Sequence, residues 1–152
     1  MTKVRWLTPD EMRAWRGYIT TSSDLQRVIE RDLSRFGLDA GDYQLLAMLS
    51  EAADHRLRMS ELAEELRLSR GGLTRRMKGV IEAGLVERID DEEDKRVAYA
   101  HLTSRGWRLI KRVAPHHVET VRAMMIDLLS PAEVKALGNA FEKISSHLRK
   151  CV

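Results

Sequence analysis

Cysteine is almost absent from this chain, whose 152 residues include only one, at position 151. A single cysteine excludes an internal disulfide framework and a zinc finger built from cysteine pairs. It also suits a reducing compartment, so we expect a cytoplasmic protein. Long apolar runs are missing too, because no stretch approaches the roughly 18 residues that a membrane span needs. We therefore expect no membrane partner.

Aromatic residues make up only 5% of the chain, whereas 32% of the residues are charged and 43% are hydrophobic. This balance is typical of helical proteins with solvated outer faces and disfavours a β-sandwich. The length suits a compact fold that needs neither disulfide nor metal. The formal net charge is only +3, so the placement of the charge has to indicate the partner.

Capping signals mark a helix near each end of the chain. Residues 8–11, Thr-Pro-Asp-Glu, combine an N-cap, a proline at the first helical position and a glutamate for a capping box. They predict a long helix over residues 9–36. Residues 130–133, Ser-Pro-Ala-Glu, repeat this pattern and predict a last helix over residues 131–151.

The middle of the chain predicts a helix-turn-helix. Asp39 caps a helix that ends before residue 53. Ser60 caps a short helix, and Ser69 caps another that Gly84 ends. Because a sharp turn separates the last two, they form a helix-turn-helix candidate.

Beyond residue 84 the hydrophobic period changes from helical to alternating. The alternation predicts strands over residues 85–89 and 97–102, joined by a charged loop. A helix over residues 104–129 follows, with a kink expected at Pro115. The predicted fold is therefore mainly α with a small β-hairpin wing, a winged helix-turn-helix with terminal helices.

The helix after Ser69 has one apolar and one basic face. Leu73, Met77 and Val80 share the apolar side. The opposite side carries small and basic residues with no acid before Glu82, as a helix entering a DNA groove requires. A solvated surface helix is the alternative, and the neighbouring short helix and hairpin favour DNA binding over it.

The chain resembles the multiple-antibiotic-resistance regulator (MarR) family of bacterial transcription factors over nearly its whole length. The resemblance rests on residues 59–63 (MSELA), 69–75 (SRGGLTR), 85–88 (LVER), 94–96 (DKR) and 102–106 (LTSRG). Each motif is weak by itself, and their order and spacing make the resemblance specific.

The resemblance implies a DNA-binding transcriptional regulator, a repressor released by a small-molecule ligand. The helix from Arg70 would then lie in the major groove, and the hairpin would be a wing whose Arg96 reaches a minor groove, oriented by Asp94. A surface ion pair of small energetic value is the alternative for these two residues. The residues expected to contact or support DNA are Ser69, Arg70, Gly71, Thr74, Arg75, Arg76, Lys78, Asp94, Lys95 and Arg96.

The predicted wing tip has the wrong sign of charge for contact with DNA, because residues 90–93 are all acidic. Carboxylates that point at DNA would be repelled by the phosphates. We expect them to face away from the backbone and leave Lys95 and Arg96 as the productive side. The alternative is a wing that adds less affinity than usual.

The terminal helices predict a homodimer. From Val134 to Cys151 apolar residues recur at alternating spacings of three and four, a seam that needs a partner helix. Residues 1–37 and 104–152 would form the dimerisation region around a winged domain at 38–103. Packing within one chain is the alternative. The duplex DNA partner would then be an imperfect inverted repeat.

Family resemblance also implies a small aromatic or anionic effector, bound between the dimerisation helices and the DNA-binding part. Trp15, Tyr18 and Tyr43 are candidates to line such a cleft, with Arg16 as an anion partner. Simple core or surface positions are the alternative for all four.

No signature of an enzyme, a cofactor or a metal site is found in the sequence. It has no phosphate-binding glycine loop, no nucleophile elbow and no zinc spacing among its five histidines. A small helical enzyme is thus a weak rival. A winged protein-interaction module without specific DNA binding is the other alternative.

Overall fold

The computed structural model describes residues 4–94 and 96–151 and is mainly helical, as predicted. No helix in this described part is both long and apolar enough to cross a membrane. In chain order the elements are α1 (Pro9–Ser34), α2 (Ala40–Glu51), β1 (Arg56–Arg58), α3 (Met59–Glu65), α4 (Arg70–Glu82), β2 (Val86–Asp90), β3 (Ala98–Leu102), α5 (Ser104–Met124) and α6 (Pro131–Leu148).

The predicted caps form and fix where the long helices begin. The Thr8 hydroxyl accepts from the Glu11 amide at 3.3 Å, and the Glu11 carboxylate accepts from the Thr8 amide at 2.7 Å. The hydrogen bond from the Thr8 amide favours the charged carboxylate, so it lowers the pKa of Glu11. Ser130 and Glu133 make the same reciprocal pair at the start of α6. These reciprocal bonds satisfy amide groups that have no partner inside the helix.

The predicted hairpin is part of a three-stranded antiparallel sheet in the order β1-β3-β2. The sequence prediction missed β1, which pairs with β3 so that Leu57 lies opposite Ala100. Three residues are too few to show a strand period, and only pairing with β3 identifies them. The predicted N-cap at Ser60 is also wrong, because α3 begins at Met59 with Arg58 as its cap.

The last two helices end earlier than predicted. Helix α5 stops at Met124 because Met125 leaves the helical region, with φ −142° and ψ −60°, and a 3₁₀ turn over Ile126–Leu128 follows. Pro115 lies inside α5 without ending it. Helix α6 ends at Leu148, three residues before the predicted end.

Most of the buried apolar side chains belong to the winged part of the chain. All sixteen among the described residues lie between Leu33 and Val113, and α6 contributes none. Gly106 lets the start of α5 pass close to β2, since a Cβ there would lie 2.1 Å from the Leu85 carbonyl oxygen. The chain divides into two compact units, the first ending at His117 and the second beginning at Val118.

Candidate nucleic-acid interface

Helix α4 presents the predicted basic face to solvent. Its N-terminus is capped by Ser69, whose hydroxyl accepts from the Gly72 amide at 3.1 Å. Leu73, Met77 and Val80 are buried beneath it. The residues of the predicted DNA-binding set that are exposed on this helix are Arg70, Gly71, Thr74, Arg75 and Lys78.

Two details of this face bear on contact with DNA. The Thr74 hydroxyl donates to the Arg70 carbonyl oxygen at 2.9 Å, so its lone pairs remain able to accept. A Cβ at Gly71 would meet nothing within 4 Å, so packing inside the protein does not require glycine there. A glycine at such a position lets another molecule approach the backbone closely.

Arg76 occupies a different position from the rest of the predicted set. Its guanidinium Nη1 donates to Oδ1 of Asp39, the N-cap of α2, at 2.6 Å and to Oδ1 of Asp42, in the first turn of α2, at 2.7 Å. Only 29% of the Arg76 side chain is exposed. The structure therefore places Arg76 against a helix of its own chain and away from the free basic face.

A cleft of about 350 Å³ separates α4 from the base of the wing, and arginines converge on it. Arg70 and Thr74 line it from α4, and Arg96 lines it from the wing. Arg58 and Arg88 also line it, and the sequence prediction did not include them among the site residues. Arg88 could have been found from the period of two in β2, because Val86 is buried and Arg88 shares its side of the strand.

Arg96 of the wing is paired with Asp94. Arg96 Nε donates to Asp94 Oδ1 at 3.0 Å, and Nη2 donates to Oδ2 at 3.1 Å. This bidentate pair lowers the pKa of the Asp94 carboxyl. The Arg96 side chain stays 91% exposed, so it can still meet a ligand. Lys95, the third predicted wing residue, lies outside the described residues.

Two of the four acids at the wing tip are held by the protein itself. Asp91 Oδ1 accepts from the amides of Glu93 and Asp94 at 3.0 and 2.9 Å, which lowers the pKa of Asp91. Asp90 Oδ1 lies 3.4 Å from Arg88 Nε. These contacts reduce the repulsion that free carboxylates at this tip would exert on phosphates.

The predicted effector residues do not converge on this cleft. Trp15 and Tyr18 are exposed on α1, with ring centroids 6.2 Å apart, and Arg16 is exposed beside them. Tyr43 is half-buried on α2, and its ring lies 4.3 Å from that of His117. Burial raises the pKa of the Tyr43 hydroxyl and lowers that of His117. In the described part of the chain, no three His, Cys, Asp or Glu side chains are grouped to hold a metal ion.

Comparison with known proteins places this geometry in a family. The family model described as MarR family matches residues 36–97. The HTH-type transcriptional repressor YetL of Bacillus subtilis is 31% identical over 127 residues, which cover 82% of this chain and 76% of YetL.

Two solved structures from Streptomyces coelicolor are similar over nearly the whole chain. AbsC, a MarR family transcriptional regulator, has a TM-score of 0.94 and 40% identity, covering 97% of this chain and 99% of AbsC. Sco3205, a MarR family transcriptional regulator solved in complex with DNA, has a TM-score of 0.92 and 36% identity. The match covers 97% of this chain and 93% of Sco3205.

Proposed function

This chain belongs to the MarR family of transcriptional regulators, and we propose that it represses transcription by binding an operator as a homodimer. Helix α4 would enter the major groove, and the wing would place Arg96 at the adjacent minor groove. The protein would act in the cytoplasm, where the chromosome of a bacterium lies.

The observation that carries this proposal is the basic surface around α4. Its exposed face bears Arg70, Arg75 and Lys78, and the adjoining cleft adds Arg58 and Arg96. Arginine matches phosphate oxygens and the edge of guanine with paired donors, so these groups suit both backbone and base contacts. The DNA complex of the relative Sco3205 supports the same use of this fold.

Exposed apolar residues on the terminal helices support the homodimer. Ile144 and Leu148 on α6 are 54% and 53% exposed, and Trp15 on α1 is 54% exposed. Large apolar side chains exposed on helices in this way are typical of an interface between subunits. Two linked half-site contacts bind much more tightly than one, which suits an inverted-repeat operator.

Release by a small aromatic or anionic effector is the finer part of the proposal. Tyr43 offers a half-buried aromatic ring, while Trp15, Tyr18 and Arg16 lie together on α1. An effector would lower operator affinity only if it bound the DNA-free conformation more tightly. A screen of aromatic acids for loss of operator binding tests this part separately.

Selection of bound sites from a pool of random duplexes tests the DNA-binding function. We expect an imperfect inverted repeat with half-site centres about 34–36 Å apart. Affinity for that duplex should fall steeply with added salt, because phosphate contacts release counterions. Recovery of no preferred site, with no salt-dependent binding to any duplex, would instead support a winged protein-interaction module.

A further inference from the structure

Arg76 is the basic residue of α4 that the DNA-facing surface does not use. We propose that Arg76 is a positioning residue, which fixes the recognition helix against the first turn of α2 and depends on Gly41 for its seat. The inference rests on the proposed DNA-binding role of α4. It concerns how that helix is held and adds no contact with DNA.

The ion pairs of Arg76 join two helices that are distant in sequence. Asp39 caps α2 through its Oδ1, which accepts from the Asp42 amide at 2.7 Å, and the same oxygen accepts from Arg76 at 2.6 Å. Asp42 accepts from the same guanidinium nitrogen at 2.7 Å and is only 25% exposed. One cation of α4 is therefore shared by two carboxylates of one helical turn.

Gly41 makes room for the guanidinium between these two carboxylates. A Cβ at position 41 would lie 2.4 Å from the Arg76 Cζ and 2.7 Å from both terminal nitrogens. A side chain at this position would therefore displace the guanidinium from its seat. The glycine is required by neither a turn nor a positive φ, because residue 41 lies inside α2 and is not among the residues with positive φ.

Positioning explains this arrangement better than stability does. A cation at a helix N-terminus opposes the helix dipole, and a partly buried ion pair is weak evidence of net stabilisation. Apolar packing of Leu73 and Met77 beneath α4 is non-directional, whereas hydrogen bonds between charged groups are directional. Since neighbouring residues of a helix are about 100° apart around its axis, holding Arg76 fixes the direction of Arg75.

The test compares binding to the best duplex from the random pool with binding to a shuffled duplex of the same length, over a range of salt. We expect Arg76→Gln to weaken specific binding about tenfold. Binding to the shuffled duplex should change less than about twofold, and the salt slope should stay as in the wild type, because no phosphate contact is lost. Arg31→Gln, which removes an exposed charge from α1, is the matched control and should change neither affinity.

Gly41→Ala provides the test that keeps Arg76 in the protein. It should weaken specific binding about as much as Arg76→Gln, and it should add nothing in the Arg76→Gln background. Alanine favours helix over glycine, which offsets the cost of leaving the Asp42 carboxylate unpaired, so the stability of the variant should change little while its binding falls. A merely structural role would move stability and DNA affinity together.

A different result would assign Arg76 to the DNA. If Arg76→Gln lowers the salt slope by about one unit and weakens both duplexes alike, Arg76 holds a phosphate and the inference is wrong. Wild-type affinity in Gly41→Ala, or in Arg76→Gln, would also overturn it. A wild-type protein that binds no duplex would contradict the proposed function itself, which separates the two failures.

Discussion

The winged part of the chain and the last helix differ in how far their apolar side chains are exposed to solvent. Leu62 and Leu73 of the helix-turn-helix are at most 2% exposed, whereas Phe141, Ile144 and Leu148 of α6 are 42–54% exposed. Both regions carry apolar residues at helical spacing. The winged part covers them within its own chain, and α6 leaves them open to solvent.

This difference separates what one chain buries by itself from what a second chain would cover in the proposed homodimer. Thirteen of the sixteen buried hydrophobic residues in the described part of the chain lie in the winged part, which explains how it holds α4 and the wing in place without a partner. An exposed apolar stripe gains free energy only when another surface covers it. Recognition of a half-site should therefore depend on the winged part, and tight binding should depend on the terminal helices.

Placing a charge in the exposed apolar stripe of α6 should cause the largest loss of operator affinity. Ile144→Glu places a carboxylate where the partner helix would pack, so we expect a monomer and an operator affinity lower by about 100-fold or more. Deleting residues from Val134 onward should do the same and leave weak, salt-sensitive binding. Sedimentation and operator titration measure both.

Lys143→Glu makes a charge change next to Ile144 at an exposed polar position and is the matched control. It should stay dimeric and bind the operator. A monomeric Ile144→Glu variant that still binds a single half-site tightly would contradict the division between the two regions.

Truncating Arg75, which lies in the winged part, should cause the next largest loss of operator affinity. Arg75 is exposed on the basic face, and Arg75→Ala should weaken specific binding by about 1–3 kcal/mol and relax the sequence preference. The dimer should persist in sedimentation. Unchanged affinity and unchanged selectivity in a repeated site selection would mean that α4 does not read the operator.

Removing the Lys78 side chain should lower DNA affinity less than removing that of Arg75, and it should discriminate less between duplexes. It lies further along α4 than Arg75, so we expect it to hold phosphate, and its exposed contact with Glu82 at 3.9 Å is weak enough to be exchanged for one. Lys78→Ala should weaken specific and shuffled duplexes alike and lower the salt slope by about one unit. The salt slope measures this directly, and an unaltered slope would count against a phosphate contact.

Local patterns predicted most of the fold and part of the candidate site. Caps at Thr8, Ser69 and Ser130 are local in sequence, so the starts of α1, α4 and α6 could be read directly. The three residues of β1 become a strand only through pairing with β3, and no local pattern contains that information. Long-range pairing limited the prediction more than helix propensity did.

The same limit explains the site residues. Arg76 looks like part of the basic face in the sequence, because its partners Asp39 and Asp42 lie 37 and 34 positions earlier. Arg58 was missed because it joins the cleft from β1, the strand that the sequence does not reveal. Arg76 and Arg58 thus show that the surroundings of a charged residue depend on long-range contacts that local patterns do not contain.

The smallest expected effect is on the pH dependence of stability and comes from His117, at the end of the first compact unit. The His117 ring packs on Tyr43, with the two ring centroids 4.3 Å apart. Burial lowers the pKa of His117 below its ordinary 6.5, and the charge of Asp32 only partly opposes this. Burial raises the pKa of Tyr43, so that hydroxyl stays neutral throughout the acidic range.

The lowered pKa of His117 determines how the stability of the protein changes with pH. Below pH 6.5 the unfolded chain binds a proton at this histidine more readily than the folded chain does, so the free energy of unfolding should fall as the pH drops. His117→Gln should therefore lose less stability than the wild type between about pH 7.5 and pH 5.5 in urea titrations. His147→Gln, which replaces an exposed histidine of α6, is the matched control and should lose as much stability as the wild type. Equal losses in the wild type and His117→Gln would show that the burial of His117 does not contribute to the pH dependence of the protein's stability.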